Sequence, residues 1–130
     1  MPLQGTVYTI PSAALVDIIY ANNTTLLDAF QFGLSTDTWT LTGQNFKMEM
    51  KASRDDVTPL LTITSGAGQI VVDDVINRVI HLNVADTVIS VALPVGQYVY
   101  DLIMYDNSSP AVRTMLMQGH FYVKQGVTED

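Results

Sequence analysis

Apolar and polar residues alternate along most of this chain with the two-residue period of a strand that buries one face. The alternation is cleanest over 45–51, where Phe46, Met48 and Met50 interleave with Lys47, Glu49 and Lys51. Leu61 and Ile63 alternate with Thr62 and Thr64, and an extended pattern resumes over 69–72 after Ser65-Gly66-Ala67-Gly68. That glycine-bearing tetrapeptide predicts a hairpin. Ile80, Leu82 and Val84 alternate with His81 and Asn83, and Tyr98, Tyr100, Leu102 and Met104 alternate with Val99, Asp101 and Ile103. Beyond the turn formers Asp106-Asn107-Ser108-Ser109-Pro110, a last strand runs over 112–124, with Gly119 expected to mark a bulge. It pairs with its predecessor as a hairpin.

With an earlier strand over 25–32, the pattern predicts about seven short strands and no amphipathic helix of three turns. The expected fold is an all-β, immunoglobulin-like Greek-key sandwich, with Trp39, Phe46, Met48, Leu61, Ile63, Ile80, Leu82, Tyr98, Tyr100 and Leu102 facing inward. One segment reads two ways. Ser12 to Ala21 opens with a capping Pro11-Ser12, but its β-branched content makes strand an equal reading to helix.

Composition narrows the functional classes. A chain of 130 residues with 48% hydrophobic and 15% charged residues has enough apolar surface for a single core without metal or disulfide support. Cysteine is absent, which excludes thiolate chemistry and Cys-ligated metals. Thirteen acidic residues against six basic ones give a net charge of −7, and Lys47, Lys51, Arg54, Arg78, Arg113 and Lys124 are dispersed along the chain. Nucleic acid is therefore not an expected partner. The amino terminus, Met1-Pro2-Leu3-Gln4-Gly5, lacks the basic and apolar regions of a secretion signal. The longest uncharged apolar stretch, Thr87 to Tyr100, is shorter than a membrane span and contains Pro94 and Gly96. A soluble protein made in a cytoplasm is expected, with no membrane partner.

Candidate chemistry is sparse. Only His81 and His120 offer the commonest catalytic base, and both read as surface residues. The doublets Asp55-Asp56 and Asp73-Asp74 fall in predicted loops without the alternating carboxylates that wrap a calcium ion. Trp39 and the tyrosines are candidate sugar-stacking platforms, yet a lone Trp in a small sandwich reads first as a core plug. No catalytic residue, metal or cofactor is expected, and binding should be protein to protein. The one specific spacing is Leu93-Pro94-Val95-Gly96-Gln97-Tyr98, a Leu-x-x-Gly-x-Tyr run entering a strand. It reads as a tyrosine corner built on Leu93, Gly96 and Tyr98: the phenol returns to an upstream main-chain group, and the glycine lets the connection approach closely.

The order of these signals carries a resemblance. Trp39-x-Leu41-Thr42-Gly43 is followed by Phe46-x-Met48, Pro59-Leu60-Leu61-x-Ile63, a glycine-rich turn and Ile80-x-Leu82. Then come Leu93-Pro94-x-Gly96-x-Tyr98-x-Tyr100-Asp101-Leu102 and Gly119-x-Phe121-x-Val123. Over residues 39 to 124 the chain resembles small immunoglobulin-like structural proteins of tailed bacteriophages, including the amino-terminal domain of baseplate upper proteins. The resemblance implies a virion protein assembled in the host cytoplasm, with a tail, baseplate or fibre-attachment adaptor role. Its implied partners are other virion proteins and further copies of itself. A head decoration protein and a carbohydrate-binding module are the alternatives. The longer baseplate members continue into a receptor-facing stalk, whereas one domain is expected here, so a direct host-receptor role is not among the expectations.

The first 24 residues precede that pattern and form either a docking arm or the first strands of the sandwich spanning 25–130. Val7, Tyr8, Ile10, Leu15, Ile18, Ile19 and Tyr20 give this segment more apolar surface than an isolated sandwich should expose, which marks them as protein-binding residues.

Overall fold

The computed structural model describes residues 7–10, 14–33 and 36–126, with the backbone alone at 7–10. Among them are ten strands: β1 (Val7–Ile10), β2 (Ala14–Leu15), β3 (Ile18–Ala21), β4 (Ala29–Phe32), β5 (Asn45–Lys51), β6 (Leu61–Thr64), β7 (Ile70–Asp74), β8 (Val79–Leu82), β9 (Gly96–Tyr105) and β10 (Arg113–Lys124). One helix, α1 (Asp86–Ala92), links β8 to β9.

The strands form a four-stranded sheet, β1-β4-β8-β7, and a six-stranded sheet, β2-β10-β9-β5-β6, in which β3 also pairs with β10. This is the strand order of an immunoglobulin-like sandwich: A-B-E-D on one side and G-F-C with an added C′ strand on the other. The seven strands expected from the alternation are β4 to β10. The other three come from the first 21 residues: β1 lies parallel to β4, while β2 and β3 lie parallel to β10.

The inward faces follow the two-residue period. Phe46, Met48 and Met50 of β5 and Tyr98, Tyr100 and Leu102 of β9 meet Phe30 and Phe32 of β4 and Ile80 and Leu82 of β8 in one buried cluster. Each such side chain contributes about 1.5 to 3 kcal/mol relative to exposure, and the flexible methionines fill gaps between the rings. Leu61 is partly buried and packs against this cluster.

Three expectations are corrected. Ser65–Gly68 does not close a hairpin: β6 pairs with β5 and β7 with β8, so the turn carries the chain from one sheet to the other. A tight turn fixes local reversal, whereas strand pairing depends on which sheet receives each apolar face. The irregularity in β10 lies between Met115 and Met117, not at Gly119. Trp39 is 37% exposed and lies outside the core cluster. The one helix among the described residues, α1, is shorter than three turns, and it forms despite its β-branched Val88, Ile89 and Val91 because burying Ile89 and Leu93 outweighs weak helix propensity.

Candidate functional site

The amino-terminal strands set the geometry of the sheet edge. β3 runs beside β10 with Ile18 opposite Phe121 and Tyr20 opposite Val123. Ile18 and Tyr20 are core residues, and the Tyr20 ring stacks 5.9 Å from that of Phe121. They are unavailable to a partner because the strand alternation turns them inward, a correction to their reading as docking residues. The same alternation turns Leu15 and Ile19 outward, 77% and 66% exposed. The side chains of Val7, Tyr8 and Ile10 lie outside the described residues.

Two features lock this edge to the sheet. A Cβ at Gly119 would stand 2.2 Å from the Val16 carbonyl oxygen, so only glycine admits the approaching chain. The Tyr100 hydroxyl, brought from β9, donates to that carbonyl at 2.5 Å. Burial, assisted by the nearby Asp17 carboxylate, pushes the Tyr100 phenol well above the usual range.

Tyr98 repeats the device at the α1–β9 connection. Its hydroxyl donates to the Pro94 carbonyl at 2.5 Å, and Leu93 is fully buried beneath it with its amide bonded to the Ile89 carbonyl. Gly96 takes a different part from the one expected. A Cβ there would lie 3.6 Å from the Tyr98 hydroxyl, an ordinary contact, so this corner does not require its glycine.

The largest polar structure was not read from the sequence. Arg78 is 1% exposed, in a left-handed conformation with φ of 61°. Its guanidinium donates to four main-chain carbonyls: Phe32 at 2.7 Å, Trp39 at 2.9 Å, Ile76 at 3.0 Å and Asp37 at 3.2 Å. It also lies 5.2 Å from the centre of the Trp39 ring, within cation–π range. Trp39 therefore serves as a lid over a buried cation rather than as a core plug. Gly33 makes the knot fit: its φ is 76°, and a Cβ there would come within 2.4 Å of the Asp37 carboxylate. Asp74 caps the neighbouring turn by accepting from the Ile76 and Asn77 amides, and the Asn77 bonds hold its carboxyl below the usual range.

Beside this knot lies a cavity of about 310 Å³ lined by Phe32, Trp39, Met104, Met115, Leu116 and Asp37. No signal in the local sequence joins these residues, which come from β4, the β4–β5 loop, β9 and β10.

Catalytic convergence is not seen among the described residues. His81 is on β8 of the four-stranded sheet, its Nδ1 2.9 Å from Asp73, whereas His120 is on β10 of the other sheet, 3.6 Å from Asp17. No group of three or more His, Cys, Asp or Glu residues able to hold a metal ion occurs among the described residues. Asp55 and Asp56 are exposed in the β5–β6 loop, where Asp56 accepts from the Ser53 amide. On the outer face of the six-stranded sheet Asp101 lies opposite Glu49. Its carboxyl is pushed up by burial and then by Glu49, against the opposing pull of Lys51, Arg54 and Lys47. No helix among the described residues is long and apolar enough to cross a membrane.

No protein-family model matches the chain, and no curated protein matches it in sequence. Among solved structures it does have a likeness. The chain shares its fold with the N-terminal domain of phage TP901-1 ORF48. The TM-score is 0.56 at 11% identity, over 92% of this chain and 98% of that one. At this identity the likeness speaks for the fold alone.

Proposed function

We propose that this chain is a structural protein of a tailed-bacteriophage virion: a tail, baseplate or fibre-attachment adaptor that works through protein–protein contacts. The observation that carries the reading is the near end-to-end fold match to a domain of a phage protein, joined to the order of sequence signals over 39–124. A fold alone hosts many functions, and the placement of the polar residues supports the same reading. Arg78, Tyr98 and Tyr100 all hold main-chain carbonyls. His81 and His120 sit on different sheets, each beside an aspartate. The polar groups thus serve the rigidity of the sandwich, and its outer faces and edges are left for binding.

The test is an amber stop in the reading frame, with particles grown in suppressing and non-suppressing hosts. The adaptor reading expects non-suppressing hosts to give filled heads with absent or distally incomplete tails. Intact tails on fragile heads would indicate head decoration instead, and normal infectious particles would overturn the virion role.

A further inference from the structure

We propose that the cavity beside the Arg78 knot is a docking pocket for a bulky apolar side chain, carried between basic residues on a segment of a partner protein. This deepens the adaptor reading and rests on it for the partner being a protein. The cavity, of about 310 Å³, opens where the two sheets part, between the end of β4 and the β9–β10 hairpin. Packed interiors leave few voids larger than a water, so a space of this size calls for a cause.

Two irregularities make it. On one side, β10 carries an extra residue between Met115, opposite Ile103, and Met117, opposite Leu102. A bulge re-aims side chains. Leu116 and Met117 are consequently buried in succession, against the strand alternation, and both Met115 and Leu116 line the cavity. On the other side, Gly33 at φ 76° and Arg78 at φ 61° hold left-handed backbone, which the bonds from Arg78 to the Phe32 and Trp39 carbonyls fix in place. One wall is therefore rigid, and the other is formed in part by Met104 and Met115, whose flexible side chains adapt to what they meet. Such a pocket is preformed yet tolerant in fit.

The surroundings select the occupant. Phe32, Trp39, Met104, Met115 and Leu116 make the lining mostly apolar, with Thr114 and Asp37 as its polar side chains. Trp39 is 37% exposed, and Ile76 and Val112, in the loops on either side, are 64% and 63% exposed. An anchor side chain seated in a pocket and ringed by further contacts is the arrangement of a binding hot spot. Charge then decides what flanks the anchor. Asp74 at the β7–β8 turn and Asp106 at the β9–β10 hairpin flank the mouth, and bonds from the Asn77 and Val112 amides hold both carboxyls below the usual range. They stay ionised. Arg78 is 1% exposed, and Arg113 lies over the Tyr105 ring, on the opposite face of β9 from Met104. With a net charge of −7 behind it, the mouth attracts a basic segment and repels an acidic one.

Trp39 is the only tryptophan in the chain, so its fluorescence reports on the cavity without background. Titrating the purified chain with the peptide N-acetyl-Lys-Leu-Lys-amide should give a saturable change in that fluorescence. N-acetyl-Glu-Leu-Glu-amide and N-acetyl-Lys-Gly-Lys-amide should each bind roughly tenfold more weakly, the first for its charge and the second for its missing anchor. Met115→Phe, which fills the cavity, should abolish the response to the Lys-Leu-Lys peptide while leaving the melting temperature and β-type circular dichroism unchanged. Thr114→Tyr, at the exposed mouth, blocks the same space and serves as the second variant if Met115→Phe does not fold. No saturable change up to millimolar peptide would overturn the proposal. So would equal binding of the Glu-Leu-Glu or the Lys-Gly-Lys peptide, or a response that survives both substitutions. Because the virion role is tested separately by the amber stop, particles that require the chain while the peptide fails to bind would sink the pocket and leave that role standing.

Discussion

The Arg78 knot and the Tyr98 corner do the same job at different ranges. Each spends a side-chain donor on main-chain carbonyls that would otherwise be left unpaired in a connection between sheets. Tyr98 reaches back four residues to Pro94, whereas Arg78 reaches 39 residues to Trp39, 41 to Asp37 and 46 to Phe32. The short device is visible as a spacing. The long one exists only after the β4–β5 loop and the β7–β8 turn have met. Range also sets the consequence of loss: the corner steadies one connection, while the knot joins two.

Removing the knot should therefore cost most. Arg78→Met should lower stability by about 4 kcal/mol, because it strips the partner from several buried carbonyls at once, a network loss at the upper end of single-site effects. Chemical denaturation is the measurement, and a loss under about 1 kcal/mol would mean that water replaces the guanidinium and that the two devices are equivalent. Tyr100→Phe comes next, at about 1 to 3 kcal/mol, since the Val16 carbonyl loses its donor beneath the β3 edge. Tyr98→Phe should cost about 1 kcal/mol, because its corner lies nearer to solvent. An inverted order of the two tyrosines would show that the corner, not the edge lock, is the main tie. Gly96→Ala should change stability by less than about 0.5 kcal/mol, the range of surface substitutions. A large loss there would show that the corner needs its glycine after all.

The tyrosines also give a pH signature. Burial raises the phenols of Tyr20, Tyr98 and Tyr100 above the free value of 10.0, most strongly at Tyr100. For an acid whose folded pKa lies above its unfolded one, the neutral form favours the fold. Stability is then fully present below pH 10 and is lost as pH rises beyond it. Ultraviolet titration should show these three phenols ionising late, together with the loss of β structure. Normal ionisation of all six tyrosines in a chain that stays folded would contradict the buried placement.

What could be read from the sequence followed the range of the interactions. The strands β4 to β10 were visible because alternation is local, and so was the return of Tyr98 to an upstream carbonyl. Ile18 and Tyr20 were misread because apolar residues in an ambiguous segment look alike whether they face a core or a partner. Only pairing with β10 distinguishes them from Leu15 and Ile19. Trp39 was misread and Arg78 passed over for the same reason: each is ordinary alone, and the placement of one explains the other. Ser65–Gly68 was correctly a turn, but nothing local says which sheet receives the next strand.

The proposed role of this sandwich is that of a virion component acting by contact. Gold-labelled antibody against the chain, applied to gradient-purified particles, tests it most directly. Label concentrated at the tail or its distal end is expected. Particles that bind no label, with the chain recovered only from the soluble lysate, would contradict it.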